Sequence, residues 1–170
     1  HKADLITAFF GNTLNQAYRF NGETGDNSGT FSLVPSGMLG TGNDLEAIYA
    51  VYPHNKAVKI SDTGVLSLTL PSMQGYAEGT FGKGANTMIA VTESVADTYL
   101  GFRNAGGYLK VQLYGEDVTV RSVVLRGNND ERIAGAATVV MEHSGLPEVT
   151  MVDDAETSVS INCGDGGKLG

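Results

Sequence analysis

Between Thr41 and Gly135 the chain is a succession of short apolar runs cut by glycine-rich turns. AIYAVYPHN, GVLSLTLPSMQGY, GTFGKGANTMIAV, FRNAGGYLKVQLYG and VRSVVLRGNNDERIAG follow one another in that order. Apolar residues recur there at period two or in short unbroken runs, and no segment sustains a helical stripe for three turns. Such a chain buries its apolar side chains by pairing strands. It is built as a scaffold or a surface, and a catalytic reading has to be argued against that background.

The clearest alternation is in residues 65–70, where Leu66, Leu68 and Leu70 share one face and Ser67 and Thr69 the other. With residues 58–60 this segment forms a predicted hairpin around SDTG, and Pro71 ends it. GYLKVQLYG (107–115) is predicted as a strand with Leu109, Val111 and Leu113 inward and Lys110, Gln112 and Tyr114 outward. LITAFF (5–10) and QAYRF (16–20), with Tyr18 and Phe20 on one face, are further strands. So are GTFSLVP, with Phe31 and Leu33 together, and AIYAVYP, which stops at Pro53. TMIAV (87–91) suits the middle of a sheet, and AGAATVVM and AETSVSINCG complete the set. VTVRSVVLRG loses its period at Ser122–Val123, the mark of a bulge. SGMLGTGNDLE reads as a loop with a short helical turn near Asn43 or Asp44.

About ten strands and almost no helix result. Two packed, mostly antiparallel sheets bury such strands economically, and the long connections favour a Greek key. The reading is all-β: one β-sandwich domain over residues 1–170. The polar, glycine-rich CGDGGKLG reads as a boundary leading to a further domain.

The 170 residues, 41% of them hydrophobic, suffice for one packed domain. The 23 glycines follow no every-third-residue period, so they supply turns rather than a collagen helix. Eleven Lys and Arg against 19 Asp and Glu give a net charge of -8. Basic residues stand singly, at Arg19, Lys56, Lys59, Lys83, Arg103, Lys110 and Arg121. That excludes the concentrated positive surface that nucleic acid or an anionic membrane requires. The lone Cys163 forms no internal disulfide and argues against a thiolate metal cluster. No apolar run reaches transmembrane length. Neither a signal peptide nor a lipidation cysteine is present from His1 onward, which leaves export open.

Each candidate site has a simpler reading beside it. Asn43, Asp44 and Glu46, then Asn129, Asp130 and Glu131, then Asp153, Asp154 and Glu156 form three oxygen-rich clusters. Calcium takes about six to eight oxygen ligands, but none of the three has a calcium-loop spacing, and all read as solvated turns. His1, His54 and His143 are far apart in sequence and belong to no ligand motif. Glycoside hydrolysis needs two carboxyl groups about 5 to 9 Å apart, which a sequence does not locate. Tryptophan, the commonest sugar platform, is absent. Tyr49, Tyr52, Tyr76, Tyr99, Tyr108 and Tyr114 lie on strands or at their ends and read as core or rim, with one or two left for a glycan or protein contact. Ser36–Gly37 and Ser144–Gly145 lack the strand-to-helix context of a nucleophile elbow. Cys163 reads as a small buried hydrophobe. GDGG and GKGAN lack phosphate-loop spacing, and Lys83 in GKGAN points to solvent. No catalytic, cofactor or metal residue is assigned.

AIYAVYP (47–53), LTLPSMQGY (68–76), GTFGKGANTMIAV (79–91), FRNAGGYLKVQLYG (102–115), VRSVVLRGNNDERIAGAATV (120–139) and SINCGDG (160–166) stand in an ordered set. That set resembles the fimbrillin-like surface proteins of Bacteroides and related bacteria, while the part up to about Leu45 matches only loosely. The resemblance implies two transthyretin-like β-sandwich domains, of which this chain is the N-terminal one. It implies a non-enzymatic, exported protein of the outer membrane or cell surface, a fimbrial (pilus) subunit or related adhesin. Membrane attachment would come only through a lipid anchor absent from this chain. Partners would be other fimbrial subunits or host or bacterial surface proteins, with no nucleic acid and no cofactor. Assembly would follow trimming of the N-terminal strand and its replacement by a neighbour's strand. LITAFF has the apolar content of such a strand, and Arg19 is a basic residue beyond it. The alternative is a glycan-binding module of a surface nutrient-capture system.

Overall fold

A computed structural model describes residues 1–36 and 41–168. Residues 37–40, inside the SGMLGTGNDLE loop and including Gly37 of the Ser36–Gly37 pair, lie outside the described residues, as do the last two of CGDGGKLG.

Thirteen strands are present among the described residues. They are β1 (Leu5–Gly11), β2 (Gln16–Phe20), β3 (Phe31–Leu33), β4 (Leu45–Tyr52), β5 (Lys59–Ile60), β6 (Leu66–Leu70) and β7 (Met73–Gly75). β8 (Met88–Val91), β9 (Arg103–Asn104), β10 (Thr119–Arg126), β11 (Gly135–Val140), β12 (Glu148–Met151) and β13 (Ser158–Lys168) follow. They form three sheets, ordered β3-β2-β1-β4-β8-β9, β10-β13-β7 and β12-β11-β6-β5. The molecule is therefore all-β. Three sheets stand where two were expected.

The chain divides into two compact units. Unit 1 is His1–Leu68, Thr87–Ala105 and Thr138–Val149; unit 2 is Thr69–Asn86, Gly106–Ala137 and Thr150–Gly170.

Unit 1 contains the six-stranded sheet and a well-buried core. β1 lies inside that sheet, antiparallel to β2 on one side and to β4 on the other. Its LITAFF run buries Ile6, Thr7, Ala8 and Phe9 in succession. Both alternating faces are therefore covered, as an unbroken apolar run in a central strand requires. Ile6, Ala8, Ala50 and Ala90 form a cluster ringed by Tyr18, Phe31, Tyr52, Leu100 and Phe102. The alanines are small because strands β1, β4 and β8 bring them beside one another under those rings. Phe31 lies 5.4 Å from Phe20 and 6.4 Å from Phe102 between ring centroids, both in tilted geometry.

The hairpin around SDTG forms as the alternation predicts. Ser61 donates its N–H to the Val65 carbonyl at 2.9 Å, and its Oγ accepts the Val65 N–H at 3.0 Å. Gly64 has φ 80°, and a Cβ there would run into the Tyr49 hydroxyl. Leu66 and Leu68 are buried while Ser67 and Thr69 are exposed.

Unit 2 contains β10, β13 and β7. β13 is antiparallel to β10 and parallel to β7. The irregularity expected near Ser122–Val123 falls between Val120 and Ser122. There β13 accommodates extra residues around Gly164 and Gly166, both at positive φ. Among the described residues of unit 2, the buried apolar side chains are Ala134, Ala137 and Ala155.

Two local expectations fail. Asn43 and Asp44 form no helical turn, because the chain enters β4 at Leu45 and Asn43 Nδ2 is engaged by the Ile60 carbonyl at 2.8 Å. Residues 107–115 belong to no strand of the three sheets, and Leu109, Val111 and Leu113 are exposed rather than inward. Period two is a condition for a strand, but a strand exists only where a neighbour takes up its hydrogen bonds. β7, β9 and β12 are too short to show a period of their own.

Candidate binding surface

The surface that sets this chain apart lies in unit 2. Of the large hydrophobic residues left exposed, Met73, Tyr76, Phe81, Tyr108, Leu109, Val111, Leu113, Tyr114, Val118, Val124 and Leu125 all belong to it. Met73 is 70% exposed and Tyr114 81%. Single exposed apolar residues are ordinary, but a concentration of them marks a surface made to be covered.

The geometry follows from the strand register. Val124 stands opposite Ser160, and Ser160 opposite Met73, so the three share one face of the sheet. Ser122 and Asn162 are paired on that same face. Together with Arg121 and Ile161 these residues line an open cleft of about 370 Å³. The other face carries Val123 opposite Ile161 and Leu125 opposite Val159. β10 ends the sheet, so its outer edge has no neighbouring strand within it. An apolar cleft beside an open strand edge accommodates an extended peptide: the edge supplies main-chain hydrogen bonds and the cleft takes side chains.

Phe81 and Tyr108 add an aromatic pair, 4.6 Å between centroids at an interplanar angle of 36°. Tyr108 donates its hydroxyl to Asn86 Oδ1 at 2.8 Å, which holds the ring in place.

Unit 1 contains a polar cluster that sequence reasoning missed. Thr7 is fully buried on β1, and its Oγ1 lies 2.8 Å from His54 Nδ1 and accepts the Asn55 N–H at 3.2 Å. Asn15 Nδ2 donates to the carbonyls of Asn55 (2.9 Å) and Val58 (3.0 Å), while its Oδ1 is buried with no partner among the described residues. Burial, with Lys56 nearby, lowers the His54 pKa. Tyr52 donates to Asp4 Oδ2 at 3.1 Å; burial first, then Asp4, raises its pKa. This cluster pins the segment after the cis Tyr52–Pro53 bond to β1. Its signal in the sequence was a threonine inside an apolar run, which has to find a partner when buried.

The other sequence candidates stay apart. Asn43 and Asp44 precede β4 and Glu46 lies within it, exposed. Glu131 accepts the Asn129 N–H at 2.9 Å and its Nδ2 at 3.0 Å, which closes the GNNDE turn and lowers the Glu131 pKa. Asp153 and Asp154 are exposed in a turn, and Glu156 pairs its backbone with Ala134. The His1 amino group contacts Asp4 at 2.7 Å, and His143 Nδ1 donates to the Val91 carbonyl at 3.3 Å. Among the described residues no group of three or more His, Cys, Asp and Glu is placed to hold a metal ion. Tyr49 and Tyr52 are half-buried on β4, whereas Tyr76, Tyr99, Tyr108 and Tyr114 are exposed. Cys163 is half-buried within β13 rather than buried. Ser144, at φ 62°, and Gly145, which donates to the Glu142 carbonyl at 3.0 Å, form a plain turn. Lys83 is exposed in a turn closed by Ala85 N–H to the Gly82 carbonyl at 3.0 Å. Arg19 lies inside β2, paired with Leu5 and Ser32, where a protease has no extended loop to grip.

Among the described residues no helix is long and apolar enough to cross a membrane. Comparison with models of known protein families, with curated proteins and with solved structures finds no match to this chain.

Proposed function

We propose that this chain is a non-enzymatic domain of an exported, fimbrillin-like cell-surface protein that assembles with neighbouring subunits by β-strand complementation. In this reading it is the N-terminal domain of a longer two-domain protein, and its sheets belong to a transthyretin-like Greek-key β-sandwich. The observation that carries the proposal is the apolar surface of unit 2, with its cleft and the open edge of β10. Among the described residues of that unit the fully buried apolar side chains are three alanines, while Val123, Val159 and Ile161 are half-buried, so a covering polypeptide would add apolar burial.

The place of β1 supports the assembly mechanism. It is interior to its sheet, so its removal would open a slot between β2 and β4 lined by the Ala50 and Ala90 cluster. An incoming strand of LITAFF-like character would refill that slot and recover both sets of main-chain hydrogen bonds. The test is sedimentation and electron microscopy of the full-length, processed protein. Filaments or discrete oligomers are expected. A protein that stays monomeric under assembly conditions sinks the polymerising version and leaves a tip, anchor or solitary adhesin.

The second reading, a glycan-binding module, is favoured by the exposed Phe81–Tyr108 pair beside Asn86. Binding to a glycan array that Tyr108→Ala abolishes would support it over assembly.

A further inference from the structure

Residues 107–114 of unit 2 are exposed along their length, with Tyr108 resting on Phe81, belong to no strand, and yet alternate strictly between Leu109, Val111, Leu113 and Tyr108, Lys110, Gln112, Tyr114. They are joined to β10 by the short stretch Gly115–Val118. Asp117 in that stretch has φ 53°, the left-handed conformation that closes a three-residue hairpin loop after a type I turn. Among the described residues the outer edge of β10, which such a hairpin would use, has no strand beside it in the sheet.

We propose that residues 107–114 are a tethered strand that closes onto the outer edge of β10 as an antiparallel hairpin and guards it. The loop is Gly115–Asp117, which sets Tyr114 opposite Val118, Val111 opposite Arg121 and Leu109 opposite Val123. Two independent features select this register. One is the position of the left-handed residue at Asp117. The other is the side-chain pattern: this pairing puts Leu109, Val111 and Leu113 on the face that already carries Val123, Leu125 and Ile161. A slip of one residue would put them on the face of Ser122, Ser160 and Asn162 instead.

A loop this short holds the segment at millimolar effective concentration, so at micromolar protein it outcompetes the same segment of a second copy. Closure uses the unpaired backbone groups of β10 that a foreign strand would need. The edge is then open to a partner only when the strand lifts. This inference concerns β10 alone and stands whether or not the protein assembles into fimbriae.

The test is NMR on the isotopically labelled full chain at low concentration. Expected are cross-strand contacts between 109 and 123 and between 111 and 121, with alternate amides of 107–114 exchanging at least about tenfold more slowly than in a free peptide. Lys110→Pro should abolish those contacts and increase self-association in sedimentation velocity, because it lifts the guard while leaving unit 1 folded. In a Cys163→Ala background, Leu109→Cys with Val123→Cys should oxidise to an intramolecular disulfide faster than Leu109→Cys with Val124→Cys. Random-coil shifts and unprotected amides in 107–114 would overturn the proposal. So would contacts that appear only between differently labelled molecules, since a second copy would then be the occupant.

Discussion

At the residue scale, Thr7 and His54 matter most. Thr7→Val keeps the shape and removes the hydroxyl that accepts the Asn55 N–H and meets His54. Losing those part-buried hydrogen bonds should cost about 1 kcal/mol, read from urea unfolding. The His54 pKa is lowered in the folded chain, so the fold favours neutral imidazole. Its contribution is present above the ordinary value of 6.5 and is lost as pH falls through the lowered folded value. Urea midpoints should drop between neutral and mildly acidic pH, and His54→Gln should flatten that part of the profile. An unchanged profile would show that His54 is not linked to folding. Gly64→Ala is the backbone counterpart. At φ 80°, with the Tyr49 hydroxyl in the way, it should cost more than about 1 kcal/mol in the same assay.

At the element scale, β1 is the strand on which unit 1 depends. Ile6, 2% exposed, belongs to the Ala50–Ala90 cluster, and Ile6→Ala should cost about 2–5 kcal/mol. Much of this level was legible in the sequence. LITAFF, QAYRF, the SDTG hairpin and TMIAV are strands where expected, because their apolar periods coincide with partners in the fold. GYLKVQLYG has an equally good period and is no strand in this structure. Side-chain alternation records which face would be buried, while pairing depends on a neighbour that the local sequence does not name. β7 is the reverse case. Three residues form a strand because β13 lies parallel to them.

At the scale of the whole molecule, a net charge of -8 opposes self-association while the apolar surface of unit 2 favours it. Salt screens the first and strengthens the second. Sedimentation velocity should therefore show association growing from low to high sodium chloride. Val124→Ser with Leu125→Ser should weaken it at every salt concentration. Association that fell with salt would point to charge pairing instead of apolar contact.

The sequence by itself determined that this chain is all-β, that glycine serves many of its turns, and that its basic residues are few and outnumbered by acidic ones. Those properties reside in composition and in patterns a few residues long, where backbone sterics and side-chain period act directly. Only the tertiary structure decided that there are three sheets, that β1 is interior to one of them, and that β10 has an open edge beside an apolar cleft. It also decided that Thr7, Asn15, His54 and Asn55 meet. These depend on pairings between residues distant in sequence, whose loop-closure cost and reward are set by the whole chain and leave no local trace.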